Sequence, residues 1–150
     1  MDLHDFTLLM PRAVAWAEAV AAHVASAGDP LNASAISDAM AVGVQRPEEV
    51  RVQMVDHLPL PSDSELRAAA LETRLLGPTM AGLTLGHSIL ICHGQLSRRL
   101  FSHECRHVSQ YEQAGSIAAF LPLYLQSIVQ VGYWESPFER DARAYELADV

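Results

Sequence analysis

The sequence predicts a small α+β domain that is mostly helical, with a short β-sheet preceding one long polar helix. Several apolar segments are bounded by Pro and Gly as helices are, two stretches alternate with a period of two, and the order is helices, strands, helices. A chain of 150 residues that is 50% hydrophobic can bury one core. We therefore expect a single domain over residues 1–150, with an N-terminal part, 1–80, and a C-terminal part, 81–146.

The first forty residues predict two helices. The segment from Pro11 to Ala27 is rich in Ala and Val, begins with a proline suited to a first helical turn, and ends before Gly28. Residues 30–42 repeat this plan, with Asp29 as an N-cap and a glycine after the end. We expect a helical hairpin that serves as scaffold.

Two stretches alternate as half-buried strands do. The first, residues 50–55, places Val50, Val52 and Met54 on one side. The second, residues 83–91, reads as one strand that runs into the polar helix. Its common face carries Leu83, Leu85, His87, Ile89 and Ile91.

A capping box predicts the helix that lies between these two strands. Ser62 and Glu65 have the spacing of such a box at the start of residues 62–76. Gly77 and Pro78 follow and are expected to stop the helix.

Two more helices are expected near the C-terminus. Residues 116–131 contain Pro122 in an early turn, which is expected to bend the helix, and Gly132 ends it. The last helix starts at Ser136 and Pro137. It carries Asp141, Arg143, Tyr145 and Glu146 toward the C-terminus.

The polar helix, capped by Ser97 and closed by Gly115, contains the pattern H-E-x-x-H at His103, Glu104 and His107. Residues four apart share a helical face, so both imidazoles can bind one metal ion. Glu104 lies about 100° further round the helix, where it can act as a general base on a water at the ion. Composition gives about 0.02 chance occurrences of the pattern. The alternative is a helix with two surface or hydrogen-bonded histidines.

A catalytic zinc site takes three protein ligands and leaves one position for water, so a third donor is needed. Glu139 is the first choice, because a short antiparallel return brings the last helix past the metal helix. Glu139 also lies three residues after Ser136, so a capping box is the alternative. Glu146 and then Glu135 are the reserve candidates. These donors favour Zn²⁺, although other divalent ions are compatible with them.

These motifs resemble those of minimal gluzincin-type zinc peptidases. The resemblance rests on His103, Glu104, His107, Gln110, Glu139, Ala142 and Tyr145. In that family one helix supplies two histidines and a later helix supplies a glutamate in an E-x-x-A pattern followed by an aromatic residue. The resemblance covers residues 81–146 and implies a zincin-like fold, one Zn²⁺ ion, peptidase activity and a ligand role for Glu139.

The resemblance also implies an edge strand that holds an extended peptide or protein substrate. The residues in that place are Thr84, Leu85, Gly86 and His87.

There are departures from the family pattern. Larger gluzincins carry an Asp four residues after the glutamate ligand to orient the first histidine, whereas Arg143 stands here. Asp141, Gln110 or a backbone carbonyl must then take this role. No residue is clearly marked for stabilising an oxyanion. The candidates are Tyr133, His87 and His93, although a lone His or Tyr near a core is more often simply packed.

Charge and cysteine usage limit the partners and the compartment. A net charge of −8 argues against a nucleic-acid partner or an anionic membrane. The acidic start is unlike a signal peptide, and no apolar run approaches ~18 residues. The two cysteines, Cys92 and Cys105, fit a reducing compartment, and Cys105 points away from the histidines into packing. We expect a cytoplasmic protein; the sequence leaves its oligomeric state open.

The sequence thus favours a zinc-dependent peptidase in which Glu104 is the general base. The alternative is a non-catalytic zinc-stabilised domain in which the same ligands hold the last helix against the metal helix. A regulatory domain that has kept the peptidase shape to bind a partner protein is a third, weaker reading.

Overall fold

The computed structural model describes residues 3–77 and 80–149, and in these ranges the chain forms six α-helices and one four-stranded sheet. The helices are α1 (Leu3–Ala27), α2 (Ala33–Ala41), α3 (Ser64–Glu72), α4 (Arg98–Ala114), α5 (Ile117–Val131) and α6 (Pro137–Ala144). The strands are β1 (Asp29–Pro30), β2 (Arg51–Val55), β3 (Gly82–Leu85) and β4 (Ser88–Cys92), and a short 3₁₀ helix, Pro47–Glu49, precedes β2. The predicted α+β class is confirmed.

The sheet has the order β1-β2-β4-β3 and is mixed. The central pair, β2 and β4, is parallel, whereas β1 and β3 run antiparallel to their neighbours. Helices cover both faces, which explains why β4 is a continuous apolar run rather than an alternating one. The strand β3 lies at the edge of the sheet and is followed by the central strand β4, which leads into α4.

The single strand predicted over residues 83–91 is wrong, because the chain forms a hairpin of β3 and β4. Gly86 and His87 make the two-residue turn. Gly86 has a φ of +67°, a value that such turns require and that glycine adopts without strain. Apolar residues recur at every second position on both sides of the turn because β4 is buried on both faces, so the sequence period could not reveal the turn.

The hairpin divides the predicted apolar face between two cores. Leu83 and Leu85 pack on the side of α1, in a cluster that includes Ala17. Ile89 and Ile91 pack on the opposite side with residues of α2 and α4. Each face of the sheet therefore has its own hydrophobic layer. The predicted inward side of β2 is confirmed, since Val50, Val52 and Met54 all join the second of these clusters, and Cys105 is buried there as expected.

The N-terminal elements differ from the prediction in their bounds. The helix α1 begins at Leu3, so Pro11 lies inside it rather than in its first turn. Asp29 and Pro30 form the short β1 instead of a cap, and α2 starts after Asn32, whose side chain accepts the N–H of Ala35. A strand therefore interrupts the expected helical hairpin.

The helix α3 is shorter than predicted and has a different cap. Asp63 is its N-cap, accepting the N–H of Leu66 at 3.0 Å, and Arg12 of α1 holds the other Asp63 oxygen at 2.8 Å. This contact with α1 favours Asp63 over the predicted Ser62. The helix already ends at Glu72, and Pro78, the expected stop, lies outside the described residues.

The last three helices follow their predicted signals closely. Ser97, Ser116 and Ser136 are N-caps whose side chains each accept a backbone N–H. Gly115 ends α4 in the left-handed conformation, with a φ of +106°. The helix α6 ends at Ala144, so Tyr145 and Glu146 lie just beyond it rather than on it.

Within the described ranges, no single helix has both the length and the apolar character needed to cross a membrane; α4 and α5, bent by 119°, pass that test only as a pair.

Candidate metal centre

The helices α4 and α6 bring three potential metal ligands together. His103 and His107 lie one turn apart on α4, and Glu139 lies in the first turn of α6. Nε2 of His103 is 3.0 Å from Oε1 of Glu139, and Nε2 of His107 is 3.0 Å from Oε2. Glu139 is only 1% exposed and the histidines are 7% and 6% exposed. Since water cannot screen charges at this depth, the carboxylate needs a positive partner.

The outer nitrogen of each histidine faces a hydrogen-bond acceptor. Nδ1 of His103 lies 2.8 Å from a carboxylate oxygen of Glu146. Nδ1 of His107 lies 2.8 Å from Oε1 of Gln110. The Gln110 amide is oriented by its own donors, which bind Oδ2 of Asp141 at 2.9 Å and a backbone carbonyl of α6. Both Nδ1 atoms therefore donate, which fixes the tautomer of each ring.

With Nδ1 protonated, a neutral imidazole carries a lone pair on Nε2. Two such lone pairs then face the carboxylate of Glu139, and only a cation, either protons or a metal ion, can occupy the space between them. Burial alone lowers the pKa of His103, but its hydrogen bond to Glu139 and the charge of Glu104 raise it to about 9. Against burial, Glu139 also raises the pKa of His107, and the two imidazoles lower that of Glu139. The site thus favours positive charge at its centre.

The spacing of the donors fits a divalent ion. One ligand atom from each of the three residues lies within 4.8 Å of the other two. Ligand bonds of about 2.0–2.1 Å in a tetrahedral arrangement separate donor atoms by about 3.3 Å. The N–O separations of 3.0 Å therefore need only a small expansion to admit a metal ion. This buried His-His-Glu group can hold a metal.

Glu104, next to His103 on α4, is held by the edge strand. The hydroxyl of Thr84 lies 2.7 Å from Oε1 of Glu104 and 3.2 Å from its backbone carbonyl. Gly82 allows the approach, since a Cβ there would lie 3.1 Å from Oε2 of Glu104. Glu104 is not one of the three potential ligands, but its charge raises the pKa of both histidines. Its carboxylate is thus fixed beside the centre.

Two tyrosines, Tyr124 and Tyr133, also contact Glu139. The hydroxyl of Tyr124, in α5, donates to Oε2 of Glu139 at 2.5 Å. Burial and then the charge of Glu139 raise the pKa of Tyr124 and of Tyr133 well above the usual value, so both phenols stay protonated. Each phenol therefore keeps its proton and can donate it in a hydrogen bond to the Glu139 carboxylate.

A cavity of about 120 Å³ adjoins this group of residues. Glu104, His107 and Glu139 line one part of it, together with the two tyrosines. The general-base candidate and two of the three ligand candidates therefore face the same space.

Contacts between α4 and α6 set the position of Glu139, the third potential ligand. Arg106 binds Asp141 at 2.8 Å, and the backbone N–H of Leu147 donates to Ser102 at 2.8 Å. The capping-box alternative for Glu139 is wrong, because the N–H of Ser136 bonds to backbone carbonyls before it and the Glu139 carboxylate faces the histidines. The α4–α6 packing, rather than the local cap, decides where this side chain points.

Several residues that were candidates for the site have contacts other than the expected ones. Glu146 is the hydrogen-bond partner of His103 and not a reserve ligand. Asp141 accepts a hydrogen bond from Gln110, the partner of His107, and its charge also interacts with that imidazole, whereas Glu135 is exposed. Tyr133 does line the cavity, as an oxyanion candidate should.

Only part of the predicted substrate-binding strand is a strand in the structure. Thr84 and Leu85 belong to β3, whereas Gly86 and His87 form the turn. The ring of His87 binds Glu112 at 2.9 Å, away from the centre, and His93 is exposed beside Asp56. Neither of these two histidines lines the cavity with the centre.

Two contacts at the centre were not predicted from the sequence. A single phenol within an apolar helix was the only signal for Tyr124, and nothing in the spacing linked it to Glu139. Thr84 was expected to hold substrate, but its hydroxyl contacts Glu104 instead. Both contacts join residues from different elements, so local patterns carry no information on them.

Comparisons of the chain with family models, with curated proteins and with solved structures found no match.

Proposed function

We propose that the protein is a zinc-dependent peptidase with a zincin-like arrangement of an edge strand, a metal helix and a third-ligand helix. The main support is that the Glu104 carboxylate, which is hydrogen-bonded to Thr84, lies beside a buried His-His-Glu group and lines the same cavity. A structural metal site needs no such carboxylate. The same order of elements supports grouping the chain with gluzincin-type enzymes.

The chemistry of the donors supports zinc. Two imidazoles and one carboxylate are a common catalytic zinc set that leaves a fourth position open, and the absence of thiolate ligands argues against a closed structural site. When bound, zinc polarises a carbonyl and makes a nearby water more acidic. His103 and His107 are already oriented for this role by Glu146 and Gln110.

The protein's own residues then carry the proton. Glu104 takes a proton from water as the water oxygen bonds to the scissile carbonyl carbon. The carbon–nitrogen bond breaks, and Glu104 passes the same proton to the leaving amine. Tyr133 stays protonated and lines the cavity, so its phenol is the candidate to turn from Glu139 and donate to the negative oxygen that forms in between, whereas the Tyr124 hydroxyl donates to Glu139.

The edge strand supports a peptide as substrate. The carbonyl of Ala81 bonds to Cys92, and bonded pairs recur at alternate residues of an antiparallel ladder. The backbone N–H and C=O groups of Gly82 and Thr84 therefore point away from β4. An extended peptide that pairs with them lies directly beside Glu104.

The proposal is tested with Glu104→Gln, assayed against a panel of fluorogenic peptides with the metal content measured in parallel. Removal of a general base should lower kcat by about 10²–10⁴-fold with zinc retained. Glu18→Gln, at an exposed position of α1, is the matched control and should behave as wild type. Wild-type turnover by fully metallated Glu104→Gln would exclude this role for Glu104.

One observation favours a second function, a non-catalytic zinc-stabilised domain. The same three ligands join α4 to α6 and are almost completely buried, as structural sites are. In that case chelation should unfold the chain, and no peptide should be cleaved by the metallated protein. Loss of cleavage on chelation with little loss of helical structure would decide for the enzyme.

A further inference from the structure

The cavity beside the metal centre has a second wall, built by the first eighty residues. Phe6, Leu9 and Met10 of α1 contribute to it, as do Ala69 and Ala70 of α3. The sequence motifs of the metal centre do not include any of these residues. The part of the chain without a recognisable motif thus borders the same space as the centre.

The two parts of the cavity differ in chemistry. The wall at the centre carries Glu104, His107 and Glu139, all with polar atoms. The walls from α1 and α3 are apolar apart from the indole N–H of Trp16 and from Thr73, which follows α3 and whose hydroxyl is already bonded to the Ala69 carbonyl at 2.8 Å. A polar group placed against these walls would lose its water without gaining a partner. A ligand therefore fits with an apolar group against α1 and α3 and a polar group at the centre.

The size of the cavity limits that apolar group. An engineered cavity of about 150 Å³ lined by apolar side chains stays dry and binds benzene. The cavity here, about 120 Å³, is slightly smaller. A leucine side chain or a phenyl ring matches this volume. The small Ala69 leaves room that a larger side chain would fill.

A groove leads to the cavity from outside. It shares Thr73, Met80, Val129 and Tyr133 with the cavity lining and continues outward past Trp134, which is 64% exposed. A chain can therefore approach the centre between the C-terminal ends of α3 and α5.

We propose that this cavity is a specificity pocket that receives one leucine- or phenylalanine-sized apolar side chain adjacent to the bond that is cleaved. The inference rests on the proposed peptidase function and deepens it, since it names the substrate class. Binding of the side chain against α1 and α3 places the neighbouring peptide group at Glu104. The N-terminal helices are thus part of substrate recognition as well as scaffold.

Substitution of Ala69 tests the pocket. Ala69→Phe fills it, and Ala69→Leu is a milder version in case the larger residue impairs folding. Ala68→Phe is the matched control, because Ala68 is the exposed neighbour on the same helix. Melting curves establish that each variant is folded.

The first readout is cleavage of peptides that differ only by Leu, Phe or Ala beside the cleaved bond. Wild type and Ala68→Phe should prefer Leu or Phe over Ala by at least about tenfold in kcat/KM, as expected for several buried carbons. Ala69→Phe and, in part, Ala69→Leu should lose this preference, measured as the ratio of kcat/KM for the Leu or Phe peptide to kcat/KM for the Ala peptide. No preference in wild type, or an unchanged one in both Ala69 variants, would overturn the pocket.

The second readout needs no catalysis. Fluorobenzene binding, followed by ¹⁹F NMR, should saturate in wild type, Glu104→Gln and Ala68→Phe, and be weakened at least tenfold in Ala69→Phe. Saturable binding with this pattern but no cleavage of any peptide would reject the peptidase and keep the apolar pocket. Equal binding by Ala69→Phe and wild type would reject the pocket regardless of activity.

Discussion

The contact between Thr84 and Glu104 makes the strongest quantitative prediction. Thr84→Val keeps the shape of the side chain but removes the hydroxyl that lies 2.7 Å from Oε1 of Glu104. Both residues are buried, at 6% and 5% exposure, and valine offers no donor in place of the hydroxyl. The Glu104 carboxylate then loses the group that fixes its direction beside the centre.

The size of the effect follows from this hydrogen bond. Bonds to a charged partner are worth about 1.5–3 kcal/mol, and each 1.4 kcal/mol corresponds to about tenfold in rate. A general base supplies about 10²–10⁴-fold in total. We therefore expect kcat to fall by about 10–100-fold in Thr84→Val, less than in Glu104→Gln. KM and zinc content should not change, since Thr84 contacts none of the three ligand candidates through its side chain.

The assay is steady-state cleavage of one peptide by four variants with equal zinc content. Thr84→Ser retains a hydroxyl and should recover most of kcat. In the double variant Thr84→Val/Glu104→Gln, the valine should have no further effect on kcat, because its target is already gone. Multiplicative effects in the double variant, or a Thr84→Ser enzyme as slow as Thr84→Val, would refute the argument that Thr84 acts through Glu104.

Three further predictions concern the metal and the stability of the fold. Glu146→Gln weakens the hydrogen bond that Nδ1 of His103 makes with residue 146 and should lower zinc affinity by about 10–100-fold. The affinity is measured by competition with a chromophoric chelator, and an unchanged value would contradict the role of that hydrogen bond. Chelation should lower the Tm by about 5–10 °C at zinc concentrations near one hundred times Kd, measured by circular dichroism, whereas chelator should leave the Tm of Glu139→Ala unchanged. Burial tends to raise the pKa of Glu112, but the N–H groups of residues 45 and 46 and the ring of His87 lower it below the usual value of about 4.5. The contribution of Glu112 to stability is therefore complete above about pH 4.5 and is lost as the pH falls through the lowered pKa of Glu112 in the folded protein. Glu112→Gln should be destabilised by about 1.5 kcal/mol at pH 7. In urea unfolding at several pH values, this variant should also lose part of the acid dependence of stability.

The controls for these predictions use the same chain. Glu135→Gln, at an exposed position before α6, should keep the zinc affinity of wild type. For the acid dependence, the comparison is made with Glu65→Gln on α3, whose side chain is 75% exposed. Equal pH profiles for Glu112→Gln and wild type would show that the Glu112 contacts do not matter to stability.

Much of the fold was predictable because its signals are local. Serine caps and the left-handed Gly115 bound the last helices at the predicted residues, and the alternation in β2 identified its buried side. The errors lie where tertiary contacts compete with local ones. Arg12 favours Asp63 as the cap of α3, and the two-residue turn at Gly86 divides what reads as one strand.

For the metal centre, the sequence by itself determined the pair His103 and His107 and the neighbouring Glu104, because their spacing on one helix fixes their relative directions. Only the tertiary structure decided between ligand and cap for Glu139, since that depends on how α6 packs against α4. The same holds for the hydroxyl of Thr84 on Glu104 and for the cavity between α1 and α3. A helical period relates residues along one element, whereas side chains from separate elements meet only through packing that no local pattern records.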